Sequence, residues 1–268
     1  MVFKDRTEAG KILAHKLSQT LNILREEEVI KQKEVSIKKK KEVVKHILEE
    51  KVKEETEKKL ENRLGREKEE AEKIKENTIV LAIPNGGVAV GYEVSKSLNI
   101  DFDVIVCRKV QIPWNPEAGY GSVAPDGSCF LNKKLVLALR LSDRIIQQNI
   151  QKTIEQIKKR IEKYRGKKPF PELKDKIVIL VDDGLASGFT MLASIEFVKK
   201  KKPKKIIVAV PTASGSAYQL VRPEIDKLVA LDLRYAYPFA VADAYENWYD
   251  VSDKEVLQYL REYQKTVI

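Results

Sequence analysis

Hydrophobic positions along this chain follow two regimes, and the change comes near residue 78. From Thr78 onward, short and nearly continuous apolar runs alternate with segments of helical spacing. The runs near 78–83, 102–107, 120–124, 128–131, 176–181, 205–210 and 227–231 predict strands. Runs such as IVILV at Ile177–Val181 carry no polar residue, as expected of strands covered on both faces. Segments near 86–98, 133–139, 142–165, 188–200, 214–221 and 253–264 predict helices. Alternation of this kind predicts an α/β fold, a mostly parallel sheet with helices on both faces.

Residues 22–77 obey a different pattern. Well over half are Lys, Arg or Glu, there is no proline, and Gly65 is the one glycine. Strong helix formers dominate, with acids three or four places from bases, as in Glu54 and Lys58. Sparse apolar residues recur near every seventh place: Leu17, Leu24, Ile30, Ile37, Val44, then Leu60, Leu64, Ala71, Ile74. That predicts a narrow seam, an inserted helical hairpin or coiled coil. One straight helix of this length would extend roughly 80 Å. The strand at Ile79 must return to the domain that holds Thr7, so a bend is expected near Ser36–Lys41 or a little later. The chain thus divides into an α/β domain, 1–21 with 78–268, and a charged helical insert, 22–77. The insert reads either as a dimerisation arm or lid, which would make the protein a homo-oligomer, or as a solvated protrusion.

Chemistry concentrates in Ile177–Thr190, IVILVDDGLASGFT. A buried strand ends in Asp182 and Asp183, a loop of small and hydroxylated residues follows, and then a helix begins. Gly184 and Gly188 let the loop backbone approach a ligand closely. The free amides of the helix start form an anion site, and Ser187 and Thr190 add hydroxyls. The adjacent acids could hold a divalent metal or the hydroxyls of a sugar. Together these features suggest a phosphorylated sugar; the plain alternative is a βα turn capped by Ser187.

This segment resembles the ribose-5-phosphate loop of the type I phosphoribosyltransferases, with its two acids and a following [AT]-[ST]-G-x-T. Two further segments resemble the family's in the same order. Thr78–Val94, TIVLAIPNGGVAVGYEV, is similar to the pyrophosphate loop, with Gly86 and Gly87 in place; Asn85 stands where an uncharacterised prokaryotic subgroup usually has Arg. Asp103–Gly121 resembles the next strand, an Arg-Lys pair and a mobile loop carrying Asn115, Pro116 and Glu117. Phe3–Leu13 and Tyr237–Val256 also resemble that subgroup, so the likeness covers residues 1 to about 20 and about 78 to 264.

The resemblance implies displacement of pyrophosphate from 5-phosphoribosyl diphosphate by a nitrogenous base, with Mg²⁺ as cofactor. It implies that Asp182 and Asp183 bind the ribose hydroxyls or the metal. Ala186, Ser187, Gly188, Phe189 and Thr190 would hold the 5-phosphate. Asn85, Gly86, Gly87, Arg108 and Lys109 would receive the diphosphate. Lys109 and Glu117 would join the two aspartates as catalytic groups, and the loop Val110–Gly119 would close over the site. Ala186 stands where some 6-oxopurine enzymes carry an acid, which leaves the base open. Tyr235, Phe239 and Trp248 could stack on it or be packed core. A regulatory protein that binds 5-phosphoribosyl diphosphate without efficient transfer is the alternative, and a phosphosugar hydrolase a weaker third.

Bulk properties narrow the field. The 268 residues, 43% of them hydrophobic, can build a full core. No apolar run is long enough for a membrane span, and MVFKDRTEAG lacks the apolar stretch of a signal peptide, so a cytoplasmic protein is expected. A formal charge of +10 would suit an anionic substrate. Nucleic acid is not expected, since aromatic residues are not interleaved with the basic runs. The run Lys199–Lys205, KKKKPKK, reads as a solvated turn. Cys107 and Cys129, the two cysteines, read as small buried residues, and His15 and His46 as structural.

Overall fold

The computed structural model describes residues 1–41, 77–236 and 238–266. Its elements run α1 (Arg6–Lys41), β1 (Thr78–Ala82), α2 (Gly86–Leu98), β2 (Asp101–Val104), β3 (Arg108–Ile112), β4 (Asn115–Val123) and β5 (Cys129–Leu131). Then come α3 (Lys133–Ala138), α4 (Asp143–Arg165), β6 (Ile177–Val181), α5 (Phe189–Lys199), β7 (Lys205–Ser214), α6 (Gly215–Val221), β8 (Lys227–Arg234) and α7 (Asp253–Thr266).

Five strands form one sheet in the order β2-β1-β6-β7-β8, every pairing parallel. Side chains alternate along a strand, so each central strand feeds two cores. Val80, Ala82, Ile177, Ile179 and Val181 pack beneath α1, α2, α4 and α7. Ile79, Leu81, Val178 and Leu180 pack beneath α5 and α6 on the other face. Both faces being covered explains why these strands read as unbroken apolar runs. The α/β expectation holds, and the strand order places a topological switch between β1 and β6: the chain leaves β1 toward β2 and returns on the far side at β6. Ligands in such sheets bind at the carboxyl ends of the strands flanking the switch.

Three features differ from the sequence reading. The segment after β2, expected as a strand to 107 and then a mobile loop, is an antiparallel hairpin of β3 and β4 that joins β5 in a separate three-stranded sheet. Its register shifts around Gln111, and Gly119, Gly121 and two prolines interrupt its pattern, so period-two alternation is lost. β7 and β8 also run longer than expected, to Ser214 and Arg234.

The third difference is α1, a continuous helix of 36 residues. It crosses the expected boundary at 21/22 and passes through Ser36–Lys41 without a bend. Leu17 is fully buried in the domain core, and Leu21 and Leu24 pack against that core. The first part of the supposed seam is therefore the helix face that rests on the domain, for which the same spacing serves. Ile30 is exposed. A later bend and the remaining seam positions, from Val44 onward, fall outside the described residues.

α4 is legible from its ends inward. Ser142 caps it, its Oγ accepting from the Ile145 amide, and Ile146, Ile150, Thr153 and Ile157 form its buried stripe. Its last turn is pinned by a buried ion pair between Arg165 and Asp103 of β2. α7 closes over α2 and β2 through ring contacts of Tyr259 with Tyr92 and Tyr263 with Phe102. Cys107 is buried and accepts a hydrogen bond from Ser194 Oγ at 3.1 Å, whereas Cys129 is exposed, contrary to expectation. Burial pushes the Cys107 thiol up to about 12. Among the described residues no helix is long and apolar enough to cross a membrane.

Candidate active site

Two loops meet at the switch point. β1 and β6 lie in register, Ala82 opposite Val181, and the Ile83 amide donates to the Val181 carbonyl at 2.9 Å. The loop after β1 therefore leaves the sheet directly beside Asp182 and Asp183. The contact is tight enough to require glycine. A Cβ on Gly86 would sit 1.7 Å from Asp183 Oδ2, and one on Gly87 would sit 2.8 Å from the Asp182 Cα. Thus Gly86 and Gly87 face the two acids.

The loop after β6 is zipped to β7. Leu185 donates its amide to the Thr212 carbonyl and accepts from the Ser214 amide, each at 2.9 Å. Ser214 Oγ donates to the Ala186 carbonyl at 2.7 Å. Gly188 turns the chain into α5 with φ of 79°, a left-handed conformation that favours glycine. Ala186 and Ser187 are exposed at the tip, Phe189 and Thr190 half-buried at the start of α5. The first-turn amides of a helix have no intrahelical acceptor, so this bend presents donors to the space beside the acids.

The acids are not equivalent. Burial, and then the neighbouring Asp183 charge, push the Asp182 carboxyl well above the usual range. Its Oδ1 accepts from the Asp183 amide at 2.9 Å. Burial also raises Asp183, but Arg6 opposes it. Arg6 Nε and Nη2 each reach Asp183 Oδ2 at 2.9 Å, and Nη1 donates to the Tyr249 carbonyl at 2.9 Å. The guanidinium is itself buried and lies 4.1 Å from the centre of the Trp248 ring, with Tyr245 and Tyr249 beside it. Tyr245 donates its hydroxyl to the Asp183 carbonyl at 2.7 Å.

Arg6 is the site residue that sequence reasoning missed. A local signal existed for its position: Asp5 accepts from the Glu8 amide and Glu8 returns to the Lys4 amide, a reciprocal cap that starts α1 at Arg6. Its partner is not local. Phe3 pairs with Tyr245, and this bridge carries residues 244–249 across to Arg6.

The expected diphosphate residues separate. Arg108 and Lys109 are consecutive in β3 and so point to opposite faces. Lys109 packs over Gly119. Arg108 is half-buried toward α4; burial and the charge of Arg160 both lower it, while Tyr164 and Asp253 act the other way. The Asn85 side chain turns from Gly86 toward the C-terminal segment. Its Nδ2 donates to the Val251 carbonyl at 2.7 Å and to Asp253 Oδ1 at 3.2 Å, and its Oδ1 lies 3.2 Å from the Tyr164 hydroxyl. The Pro84–Asn85 peptide is cis. The Glu117 side chain lies outside the described part of the structure.

Beyond the Ala186–Thr190 bend is a cavity of about 450 Å³ lined by Ser187, Ser214, Ser216, Arg234, Tyr235 and Phe239, among others. Of the three aromatic residues that could stack on a base or be packed core, Tyr235 and Phe239 border this cavity, whereas Trp248 covers Arg6.

A Mg²⁺ ion fits here in part. Asp182 is a half-buried hard-oxygen donor that a cation would relieve, but Asp183 Oδ2 is already engaged by Arg6. Among the described residues no group of three or more His, Cys, Asp or Glu could hold an ion. An ion at this place would take most of its ligands from a bound substrate.

The parallel sheet, its switch point and the diacid loop define a phosphoribosyl transferase domain, and residues 51–232 match that family. The chain belongs to it. Over 182 residues it is 32% identical to "Putative phosphoribosyl transferase Rv0571c" of Mycobacterium tuberculosis strain H37Rv and to its counterpart MT0597 in strain CDC 1551. That stretch is 68% of this chain and 41% of each relative, so the chain spans under half the length of these curated relatives. TT1426 from Thermus thermophilus is similar over 98% of this chain and 99% of its own, with 29% identity and a TM-score of 0.64.

Proposed function

We propose that this domain transfers phosphoribose from 5-phosphoribosyl diphosphate to a nitrogenous base and releases pyrophosphate. The observation that carries the reading is the contact of Asp182 and Asp183 with Gly86 and Gly87, beside a hydroxyl-bearing helix start at the switch point. The bend Ala186–Thr190 binds the 5-phosphate through its amides and the hydroxyls of Ser187 and Thr190. Asp182 accepts hydrogen bonds from the ribose hydroxyls. Asp183, held by Arg6, fixes the position of Asp182 and the fit of Gly86. The Gly86 and Gly87 backbone and Arg108 receive the diphosphate, whose growing negative charge they stabilise as the anomeric bond breaks. Mg²⁺ would neutralise diphosphate oxygens during that departure. The cavity bordered by Tyr235 and Phe239 adjoins the bend and is large enough for a base.

The test is release of pyrophosphate from 5-phosphoribosyl diphosphate and Mg²⁺ against a panel of purine and pyrimidine bases. Release with at least one base is expected. A second reading, a regulatory domain that binds the same sugar, gains from Asn85, whose side chain brings no cation to the pyrophosphate loop. Tight binding with no release from any base would favour it.

A further inference from the structure

The loss of a positive charge at Asn85 has a counterpart in three dimensions. Asp253 stands beside Asn85 at the start of α7 and is held by two cations of α4. Arg160 Nη2 reaches its Oδ1 at 3.0 Å, and Lys163 Nζ reaches its Oδ2 at 2.6 Å. Tyr164 donates to the same Oδ1 at 2.5 Å, and its hydroxyl also lies 3.2 Å from Asn85 Oδ1. Arg108 of β3 feels this group, Arg160 and Asp253 included. Two cations of α4 therefore share one carboxylate, next to the loop that opens α2.

That balance leaves the cluster short of negative charge. Arg160 and Lys163 share a carboxylate that cannot neutralise both, and the half-buried Arg108 feels the like charge of Arg160. Like charges are held together at a cost unless an anion joins them. Arg160 keeps only about a quarter of its side chain exposed, so solvent screens it incompletely. Asn85 is the link between this cluster and Gly86: its two side-chain ends contact Asp253 and Tyr164, and its backbone continues into the two glycines.

Resting on the reading above, we propose that Arg160 is a diphosphate-binding residue: with Arg108 it supplies from α4 and β3 the charge that Asn85 does not, and Asp253 holds it in place between substrates. A di-anionic leaving group entering beside Gly86 takes over part of the role Asp253 plays for Arg160. The ligand class is an inorganic or sugar-borne diphosphate; a monophosphate at the Ala186–Thr190 bend does not need Arg160.

Calorimetry with inorganic pyrophosphate and, separately, ribose 5-phosphate tests this on the full chain. Arg160→Gln should weaken pyrophosphate by about tenfold or more, the scale of one lost charge-assisted hydrogen bond, and leave ribose 5-phosphate unchanged. Arg160→Lys should restore part of the loss and also serves if the Gln variant melts early. Wild-type pyrophosphate affinity in Arg160→Gln, or equal loss of both ligands in both variants, overturns the proposal in favour of a role in docking α7. If wild type binds pyrophosphate but not ribose 5-phosphate, the transferase reading fails instead, and Arg160 is judged on pyrophosphate alone.

Discussion

Arg6 and Asp183, 177 positions apart, form a buried two-pronged ion pair, with Nε and Nη2 both 2.9 Å from one carboxylate oxygen. This pair joins the first turn of α1 to the acid loop after β6 and presses the carboxylate against Gly86. Removing one member strands the other charge in a dry place.

Arg6→Gln is therefore expected to destabilise the fold by roughly 3 kcal/mol, the scale for breaking a buried pair. Arg6→Gln combined with Asp183→Asn should lose less than the two single changes added together. Denaturant unfolding of the four proteins measures the coupling, and strict additivity would mean that the pair is not energetically joined.

Asp182→Asn is expected to separate stability from binding. The amide keeps the Oδ1 that accepts from Asp183 and removes a charge that burial disfavours. Melting temperature should rise by roughly 2–4 °C, about 1 kcal/mol for a chain of this size, while Mg²⁺-dependent binding of 5-phosphoribosyl diphosphate is lost. Calorimetry with and without a chelator reads the second effect; wild-type affinity in the variant would remove Asp182 from the site.

Gly87→Ala should be worse than its size suggests. Its Cβ would meet the Asp182 Cα at 2.8 Å and the Val181 carbonyl at 2.9 Å, backbone atoms that cannot swing aside. Circular dichroism should show a lower melting temperature, and binding of inorganic pyrophosphate should fall with it. An unchanged variant would show that the two loops do not touch in solution.

Acid should release α7 first. Partial burial works to raise the Asp253 carboxyl, but Lys163, Tyr164, Arg160 and Asn85 outweigh it and hold it well below the usual range. A carboxyl lowered on folding adds stability that is complete above its unfolded value near pH 4, about 3.9, and is lost as pH falls toward the folded value. Protection of α7 amides against hydrogen exchange, relative to the intrinsic rate at each pH, should fall below about pH 4 in wild type. In Asp253→Asn the region should be less protected at neutral pH and vary less with acid.

The parts legible in the sequence were those governed by local pattern. β1, β6 and α4 follow from apolar runs and helical spacing, and the acid loop follows from its own composition. The β3–β4 hairpin did not, because register shifts at Gln111 and the glycines at 119 and 121 erase alternation. Leu17 and Leu24 were visible as a stripe, but a stripe does not say whether its partner is the domain or another helix. Arg6 and the tether from Asn85 to Asp253 were illegible for one reason: each partner is supplied by a segment remote in the chain, and no local spacing encodes it.

The bend at Ala186 is bonded to β7 of the larger sheet, whereas Arg108 belongs to the smaller one. A substrate gripping both would act as a cross-brace between two separate hydrogen-bond networks. At equal ligand concentration its thermal protection of the protein should then exceed that of either fragment, because spanning both grips tightens binding.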